Sequence, residues 1–337
     1  MISAVATRVR SFSDRVGELR LAFVASLALI AILPDLMGPF IASHVMVMAI
    51  FAMGYNIILG FGGELSFGHA AYFGLGAYGV ILSLEHLFSS LYVAIPVTVV
   101  AVTALSVVFG FLSLRRRGIY FAMITLALAQ LVYVIVFQWA DLTGGSNGAS
   151  IPITEAQIGP LAPMNNELHF FFVVSALFLL LFALVARVVR SPFGRVLKAI
   201  RESEERALHL GYDVDKYLLL AFTMSGAISA LAGAIYAVLF VFISPSLLFW
   251  QLSGEVVIMT IIGGIGTLTG PLVGSVVFIF FSNTLTRVTD HWEIFFGLVI
   301  ITIVMLAPEG IIGLLRNTFL DENESFSIRR LIERLRP

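Results

Sequence analysis

Residues 187–216 read RVVRSPFGRVLKAIRESEERALHLGYDVDK, and this polar stretch interrupts a chain of 337 residues that is otherwise a series of apolar segments. It holds seven of the twenty Lys and Arg residues and five of the twenty-one Asp and Glu residues. Over the whole chain 59% of residues are hydrophobic and 12% are charged. Soluble proteins carry about 25% charged residues. The composition therefore excludes an ordinary soluble domain and predicts a protein that crosses a membrane several times.

Apolar segments on both sides of this stretch predict the fold. Because lipid offers no hydrogen bonds to the backbone, long apolar segments cross it as helices of about 20 residues. The predicted fold is an all-α polytopic membrane protein with about ten transmembrane helices in two halves of five. Since the eighth segment is short, nine spans are the alternative. The segments lie at roughly 21–41, 43–60, 65–84, 91–112, 118–140, 168–187, 217–243, 251–265, 268–287 and 294–312.

The basic residues decide between nine and ten spans, because cytoplasmic loops carry an excess of Lys and Arg. With ten spans and a cytoplasmic N-terminus, nineteen of the twenty basic residues face the cytoplasm and only Arg287 faces outward. Nine spans would place the C-terminal basic cluster outside. The predicted organisation is a cytoplasmic segment 1–20, a first transmembrane half 21–187 with an outer loop 141–167, a cytoplasmic loop 188–216, a second half 217–312 and a cytoplasmic tail 313–337.

Each half contains a glycine-rich break between apolar segments, GFGGELSFG at 60–68 and GGIGTLTG at 263–270. Interrupted helices in matching positions of two halves are typical of a transport path. Small residues spaced by four, as in Ser225, Ser229 and Gly233, favour close helix packing instead, and the sequence leaves both interpretations open. The glycines of the predicted helix breaks are Gly62, Gly63, Gly68, Gly263, Gly264, Gly266 and Gly270.

Motifs of catalysis are missing from the sequence. No phosphate-binding loop GxxxxGK[ST] and no HExxH is present, so the chain is not expected to be an enzyme. Ionisable residues inside apolar segments are candidate functional residues, and Glu64, His69 and Glu255 are the ones to consider. Their positions near predicted span ends also fit side chains at the membrane interface, and this argues against a carrier that buries acids at the midplane.

The polar stretch itself predicts one amphipathic helix over 191–210. Ser191 is a suitable N-cap, Pro192 suits the first turn and Gly211 can end the helix. Such a helix either inserts in a groove of a partner protein or lies on anionic lipid, and its spacing does not decide between them. Its apolar face is formed by Val196, Ala199, Ile200, Ser203 and Ala207.

Five segments in chain order resemble the permease subunits of branched-chain amino-acid ABC importers, specifically the M-type subunit. They are NIILGFGGELSFGHAAYFGLGAY at 56–78, GIYFAMITLALAQ at 118–130, TGGSNG at 143–148, SPFGRVLKAIRESEERALHLG at 191–211 and IGGIGTLTGPLVG at 262–274. The second and third favour the M-type over the H-type subunit. Glu64 departs from the family pattern, in which we expect Gln.

The resemblance implies an importer of the bacterial inner membrane in which this chain binds no cofactor. Its expected partners are an H-type permease, two ATPases that bind ATP and Mg, a periplasmic solute-binding protein and membrane lipid, and no nucleic acid. Residues 191–210 would then couple to an ATPase, and the solute path would use polar side chains for an amino acid's charged groups. The predicted coupling residues are Arg195, Lys198, Arg201, Glu202, Glu205 and Arg206, and the predicted path residues are Ser66, His69 and Glu255.

Other functions stay open from the sequence. Related permeases of the same family move urea, short amides or aromatic acids. An ion-coupled secondary transporter would need no ATPases, and a membrane scaffold would need no solute path.

Overall fold

A computed structural model describes residues 23–88, 90–151, 166–287, 292–306 and 309–314, so the predicted segment 1–20 and nearly all of the tail 313–337 lie outside the described residues. The larger helices are α1 (Phe23–Met37), α2 (Pro39–Asn56), α3 (His69–His86), α4 (Leu91–Ser113), α5 (Ile119–Gln138), α6 (Ala140–Thr143), α7 (Glu167–Arg190), α8 (Pro192–Glu202), α9 (Glu204–His209), α10 (Val214–Phe240), α11 (Trp250–Gly263), α12 (Gly270–Thr286) and α13 (Trp292–Leu306). Short elements are a π-helical turn at Ile57–Phe61, 3₁₀ turns at Gly145–Asn147 and Pro245–Leu248, and strands β1 (Ala149–Ser150) and β2 (Phe242–Ile243).

The predicted all-α class is confirmed, apart from the short antiparallel pairing of β1 with β2. Among the described residues, five helices can cross a membrane by length and composition: α2 with its π turn, α4, α5, α7 and α10. The apolar helices α1, α11 and α12 are shorter. The count of ten spans and the cytoplasmic position of both termini therefore stay predictions.

Helix α2 is the centre of the bundle. It is apolar on all sides, and nearly every side chain from Ala42 to Asn56 is buried. A helix that is apolar all round is buried in a protein core or a membrane. In this protein α7, α10 and α12 pack around α2.

Helix α10 joins the two predicted halves into one bundle, because it packs against α2, α3 and α4 of the first half. Gly233 allows the closest approach: a β-carbon there would overlap the carbonyl oxygen of Phe73 on α3. Ser225 and Ser229, on the same stripe of α10, are fully buried. The stripe of small residues therefore serves close helix packing, and the halves interleave instead of forming separate bundles.

The prediction of one helix over 191–210 is wrong, because the structure has two. Ser191 caps α8 and Pro192 is its first residue, as predicted, but the helix ends at Glu202. Ser203 adopts an extended conformation, and its hydroxyl accepts a hydrogen bond from the amide of Arg206 at the start of α9. The apolar side of α8 packs on α7, α10 and the π turn of its own chain. A partner or a membrane surface would therefore meet the polar side.

Candidate functional site

A cavity lies at the end of the bundle away from α8 and α9. Its volume is about 620 Å³, within the range of roughly 300–1,000 Å³ found for small-molecule sites. Side chains of α2, α5, α10, α11 and α12 form its walls, and the turn at Pro245–Leu248 forms one edge. The lining residues are His44, Met48, Tyr133, Phe137, Ser146, Tyr236, Ser244, Pro245, Ser246, Leu247, Phe249, Gln251, Leu252, Glu255, Phe278, Ile279 and Ser282.

One predicted path residue, Glu255, lines this cavity. It lies in the second turn of α11 and is partly buried. Among the described residues, the ionisable groups that line the cavity are Glu255, His44 and the two tyrosines Tyr133 and Tyr236, and no Lys, Arg or Asp joins them. The cavity is therefore an aromatic and hydroxyl-rich space with a single carboxylate.

The TGGSNG motif holds one edge of the cavity in place. Thr143 donates a hydrogen bond to the carbonyl oxygen of Val136 at 2.6 Å, which fixes the turn after α5. The chain then enters β1, where Ala149 pairs with Ile243 of β2. Ser146, between these anchors, faces the cavity. The motif thus ties the outer loop of the first half to the segment that follows α10.

The other predicted path residues, Ser66 and His69, lie in a closed hydrogen-bond network near the middle of the bundle. The two ring nitrogens of His69 are 3.0 Å from the Ser66 hydroxyl and 2.7 Å from the Ser225 hydroxyl. Ser225 in turn donates to the carbonyl oxygen of Gly54 at 2.7 Å. Ser66, His69 and Ser225 are each 0% exposed and do not line the cavity. The structure separates them from Glu255, so their place on a solute path stays a prediction.

The two glycine-rich breaks meet each other at the end of the bundle opposite the cavity. Asn56, the last residue of α2, donates to the carbonyl oxygen of Thr267 at 2.7 Å and accepts from the amide of Gly266 at 2.9 Å. One side chain just before the first break thereby satisfies two backbone groups of the second. We call Asn56, Gly60, Gly266 and Thr267, together with Arg201 described next, the junction.

Arg201 of α8 completes the junction. Its guanidinium donates to the carbonyl oxygen of Gly60, and its side-chain carbons lie against Gly63. Gly266 has a φ of +76°, and a β-carbon there would lie 2.8 Å from the Arg201 Nη1 atom. Both conditions require glycine. Among the glycines of the predicted helix breaks, Gly63 and Gly266 therefore lie against Arg201. The others allow close backbone packing elsewhere: Gly62 against Ile58, Gly68 against Thr125 of α5, and Gly263, Gly264 and Gly270 against one another or Thr267.

The other predicted coupling residues remain on the surface. Lys198 lies with its ammonium 5.4 Å from the ring centre of Phe61 in the π turn. The exposed residues Arg195, Glu202, Glu205 and Arg206 point away from the bundle, as do the apolar side chains of Leu208 and Leu210, which are 53% and 74% exposed. Arg201 and Lys198 are exposed as well, but they contact the chain's own breaks, whereas no contact with the described residues of the breaks is seen for the other four.

A cluster around Arg117 was not predicted as a site. Arg117 lies 3.1 Å from Glu204 of α9, 2.5 Å from Asp215 of α10 and 4.0 Å from Glu64 in the first break. Glu64 also accepts from the amide of Gly118 at 3.3 Å. Burial raises the pKa of Glu64, while the Gly118 amide and Arg117 act to lower it. These contacts fasten the loop after α4 to the first break and to both sides of the polar stretch.

Comparison with known proteins gives one family and several relatives. The family described as "Branched-chain amino acid transport system / permease component" matches residues 39–304. The LivM permease protein of the high-affinity branched-chain amino acid transport system of Escherichia coli K12 is 24% identical over 297 residues, covering 82% of this chain and 70% of that protein. LivH of Salmonella typhimurium LT2 is 22% identical over 284 residues, covering 79% and 91%. BraD of Pseudomonas aeruginosa is 24% identical over 287 residues with the same coverage. No solved structure matches the chain.

Proposed function

Because this chain belongs to the permease family of branched-chain amino acid transport systems, and is a multi-pass permease subunit of an ABC importer, we propose that it moves a branched-chain amino acid across the bacterial inner membrane. The path opens alternately to each side, and ATP hydrolysis on separate subunits drives the change. The proposed complex contains an H-type permease, two ATPases and a periplasmic binding protein. Ten spans with both termini in the cytoplasm complete the proposed topology.

The contact of Arg201 with both glycine breaks is the observation that carries the proposed coupling of ATP hydrolysis to the solute path. The first break follows α2, and the second lies between α11 and α12. These three helices supply His44, Glu255 and Phe278 to the cavity. A displacement of α8 therefore acts on the ends of the same helices whose other parts form the cavity wall. Glu255 and Gly263 are eight residues apart on α11, which corresponds to about 12 Å along the helix.

The remaining parts have distinct roles in this mechanism. The exposed side of α8 and α9, with Arg195, Glu202, Glu205, Arg206 and Leu210, is the proposed contact surface for an ATPase. The Arg117 cluster keeps α9 attached to the loop after α4, so that both loops move together. On the opposite side of the membrane, the edge formed by 244–251 and the 141–151 part of the outer loop faces the proposed binding protein. Hydrolysis of ATP is assigned to the partners.

Replacing Arg201 by Ala tests the coupling mechanism. Loss of a hydrogen bond from a charged group costs about 1.5–3 kcal/mol, so we expect solute-stimulated ATP hydrolysis and uptake in proteoliposomes to fall about tenfold or more. The ATPases should still co-purify, because the outward side of α8 is intact. Arg116→Ala is the matched control, since it removes an exposed cytoplasmic arginine on the loop after α4.

Arg195→Ala separates docking from transmission. Arg195 is exposed on the same helix as Arg201. Its replacement should lower co-purification of the ATPases and leave the coupling of the complexes that do form unchanged. The proposed mechanism is wrong if the Arg201→Ala variant keeps the solute-stimulated ATP hydrolysis and the uptake of the unmodified protein.

A further inference from the structure

Glu255 is a carboxylate that the described part of this chain leaves without a hydrogen-bond donor or a basic neighbour. No hydrogen bond or ion pair to it occurs among the described residues, and no Lys or Arg among them lines its cavity. Removing an ionised carboxylate from water without a partner costs several kcal/mol. An ionisable residue that faces a cavity inside a membrane protein is a candidate functional site.

The walls around Glu255 show what kind of partner fits. Six of the seventeen lining residues carry an aromatic ring, and several of these rings pack against other rings. Tyr133 and Phe249 make an edge contact with ring centres 5.3 Å apart. Tyr236 stacks on Phe240 at 4.3 Å, and the His44 ring packs edge-on against both. Tyr236 lines the same cavity as Glu255. Faces of aromatic rings attract cations, and the energy grows when the cation is desolvated.

We propose that Glu255 is the counter-ion for a cationic nitrogen of the transported solute, and that the cavity selects solutes carrying an ammonium group beside an apolar body. This inference rests on the proposed transport function and narrows its substrate class. The cavity wall contains no Lys or Arg among the described residues, so an acid that lacks an amine would meet only the repulsion of Glu255. A neutral amide or urea would leave the carboxylate unpaired. The ammonium group of a branched-chain amino acid pairs with Glu255 and its apolar side chain contacts the rings, while its carboxylate is left to hydroxyl donors of the wall such as Ser146 and Ser246.

Two small probes with the same carbon skeleton and opposite charges test the proposal. The complex of this chain with its partner permease and ATPases is placed in lipid nanodiscs, and binding of 3-methylbutylammonium and 3-methylbutanoate is measured by saturation-transfer NMR. The cation should bind and the anion should not. Glu255→Gln should weaken binding of the cation about tenfold or more, the effect of losing a hydrogen bond between charged partners.

The chain offers a charge rescue and a matched control. Gln251 lies one helical turn before Glu255 and also lines the cavity, so the double variant E255Q/Q251E returns a carboxylate to the same wall. It should recover part of the binding of the cation. Glu167→Gln removes an exposed acid at the start of α7, outside the cavity, and should change nothing. Unchanged thermal unfolding of Glu255→Gln establishes that the variant is folded.

Three results would overturn the proposal. The first is equal binding of the two probes by the unmodified complex. The second is binding of the cation that Glu255→Gln leaves unchanged. The third is competition by millimolar sodium or potassium ions, which would make the cavity a site for inorganic cations. Failure of the transport function itself is measured separately, as absence of ATP-dependent leucine uptake by the unmodified complex with its binding protein. Probe binding that depends on Glu255 can persist without such uptake, so the two failures are distinguishable.

Discussion

His69 and Glu255 are both ionisable residues in apolar segments, yet they lie in opposite kinds of surroundings. His69 has a hydroxyl partner for each ring nitrogen and is enclosed by Tyr55, Tyr72 and Phe222. Glu255 faces a cavity and has no donor within the described residues. The hydrogen bonds of His69 are complete without a ligand, whereas those of Glu255 are not. A polar residue in a membrane segment therefore indicates a binding site only when its own chain leaves it unsatisfied.

The largest effect should come from the packed centre around His69. Gly233→Ala places a methyl group on the backbone of α3, and we expect this to lower the free energy of unfolding by about 3 kcal/mol, the upper end of typical overpacking costs. Gly254→Ala is the control, because a β-carbon there meets nothing within 4 Å. Thermal unfolding in detergent measures both. Equal unfolding temperatures for the two variants would mean that α3 and α10 are not tightly packed.

The second effect compares two histidines. His69→Phe keeps an aromatic ring but removes the bonds to Ser66 and Ser225, so the free energy of unfolding should fall by about 1–2 kcal/mol. His44→Phe changes a ring that lines the cavity, where the described residues offer its nitrogens no hydrogen bond. Unfolding of His44→Phe should stay close to that of the unmodified protein. A larger loss for His44 than for His69 would contradict the comparison.

Glu255→Gln should act in the opposite direction on stability. Since it removes an unpaired and partly buried charge, the free energy of unfolding should stay the same or rise by about 1 kcal/mol, even as uptake of the solute falls. The measurement is unfolding of the purified complex beside uptake in proteoliposomes. A clear loss of stability would mean that Glu255 has a structural partner, as His69 does.

Glu64 lies between these extremes and should give the smallest effect. Glu64 is 7% exposed, and among the described residues its carboxylate has only a long contact with Arg117 and one amide donor. Because its pKa is raised in the folded protein, the folded state binds the proton more tightly than the unfolded chain. Stability should therefore fall as the pH rises through and above the ordinary value of 4.5. Glu64→Gln should flatten this part of the pH profile, measured by unfolding at several pH values. A profile that Glu64→Gln leaves unaltered would mean that Arg117 and Gly118 fully compensate for burial.

Local signals in the sequence predicted the parts of the fold that depend on neighbouring residues. The sequence predicts the N-cap at Ser191, the proline at the first helical position and the glycine that ends the polar helices at 211, and the structure has all three. Ser203 followed by two glutamates is also an N-cap signal with acidic residues in the first turn, and it could have revealed the second helix. The interpretation of Ser203 as part of the apolar face of one helix over 191–210 overlooks this signal.

Long-range contacts could not be predicted in the same way. Arg117 meets Glu204 and Asp215 across 87 and 98 residues, and Asn56 reaches Thr267 across 211. Nothing in the local sequence of these residues specifies the partner. The same limit applies to Glu255 and His69. Both are ionisable residues in apolar segments, and only the fold distinguishes them, because it brings Ser225 to His69 and places Glu255 at a cavity.

The hydrogen bond between His69 and Ser225 also has a consequence for the order in which the protein is made. The two residues are 156 positions apart, and ribosomes add about 5–20 residues per second. His69 therefore enters the nascent membrane segment on the order of ten seconds before Ser225 exists. During synthesis the ring must hold another partner, such as water or the insertion machinery, and the first five helices reach their final packing only after α10 arrives.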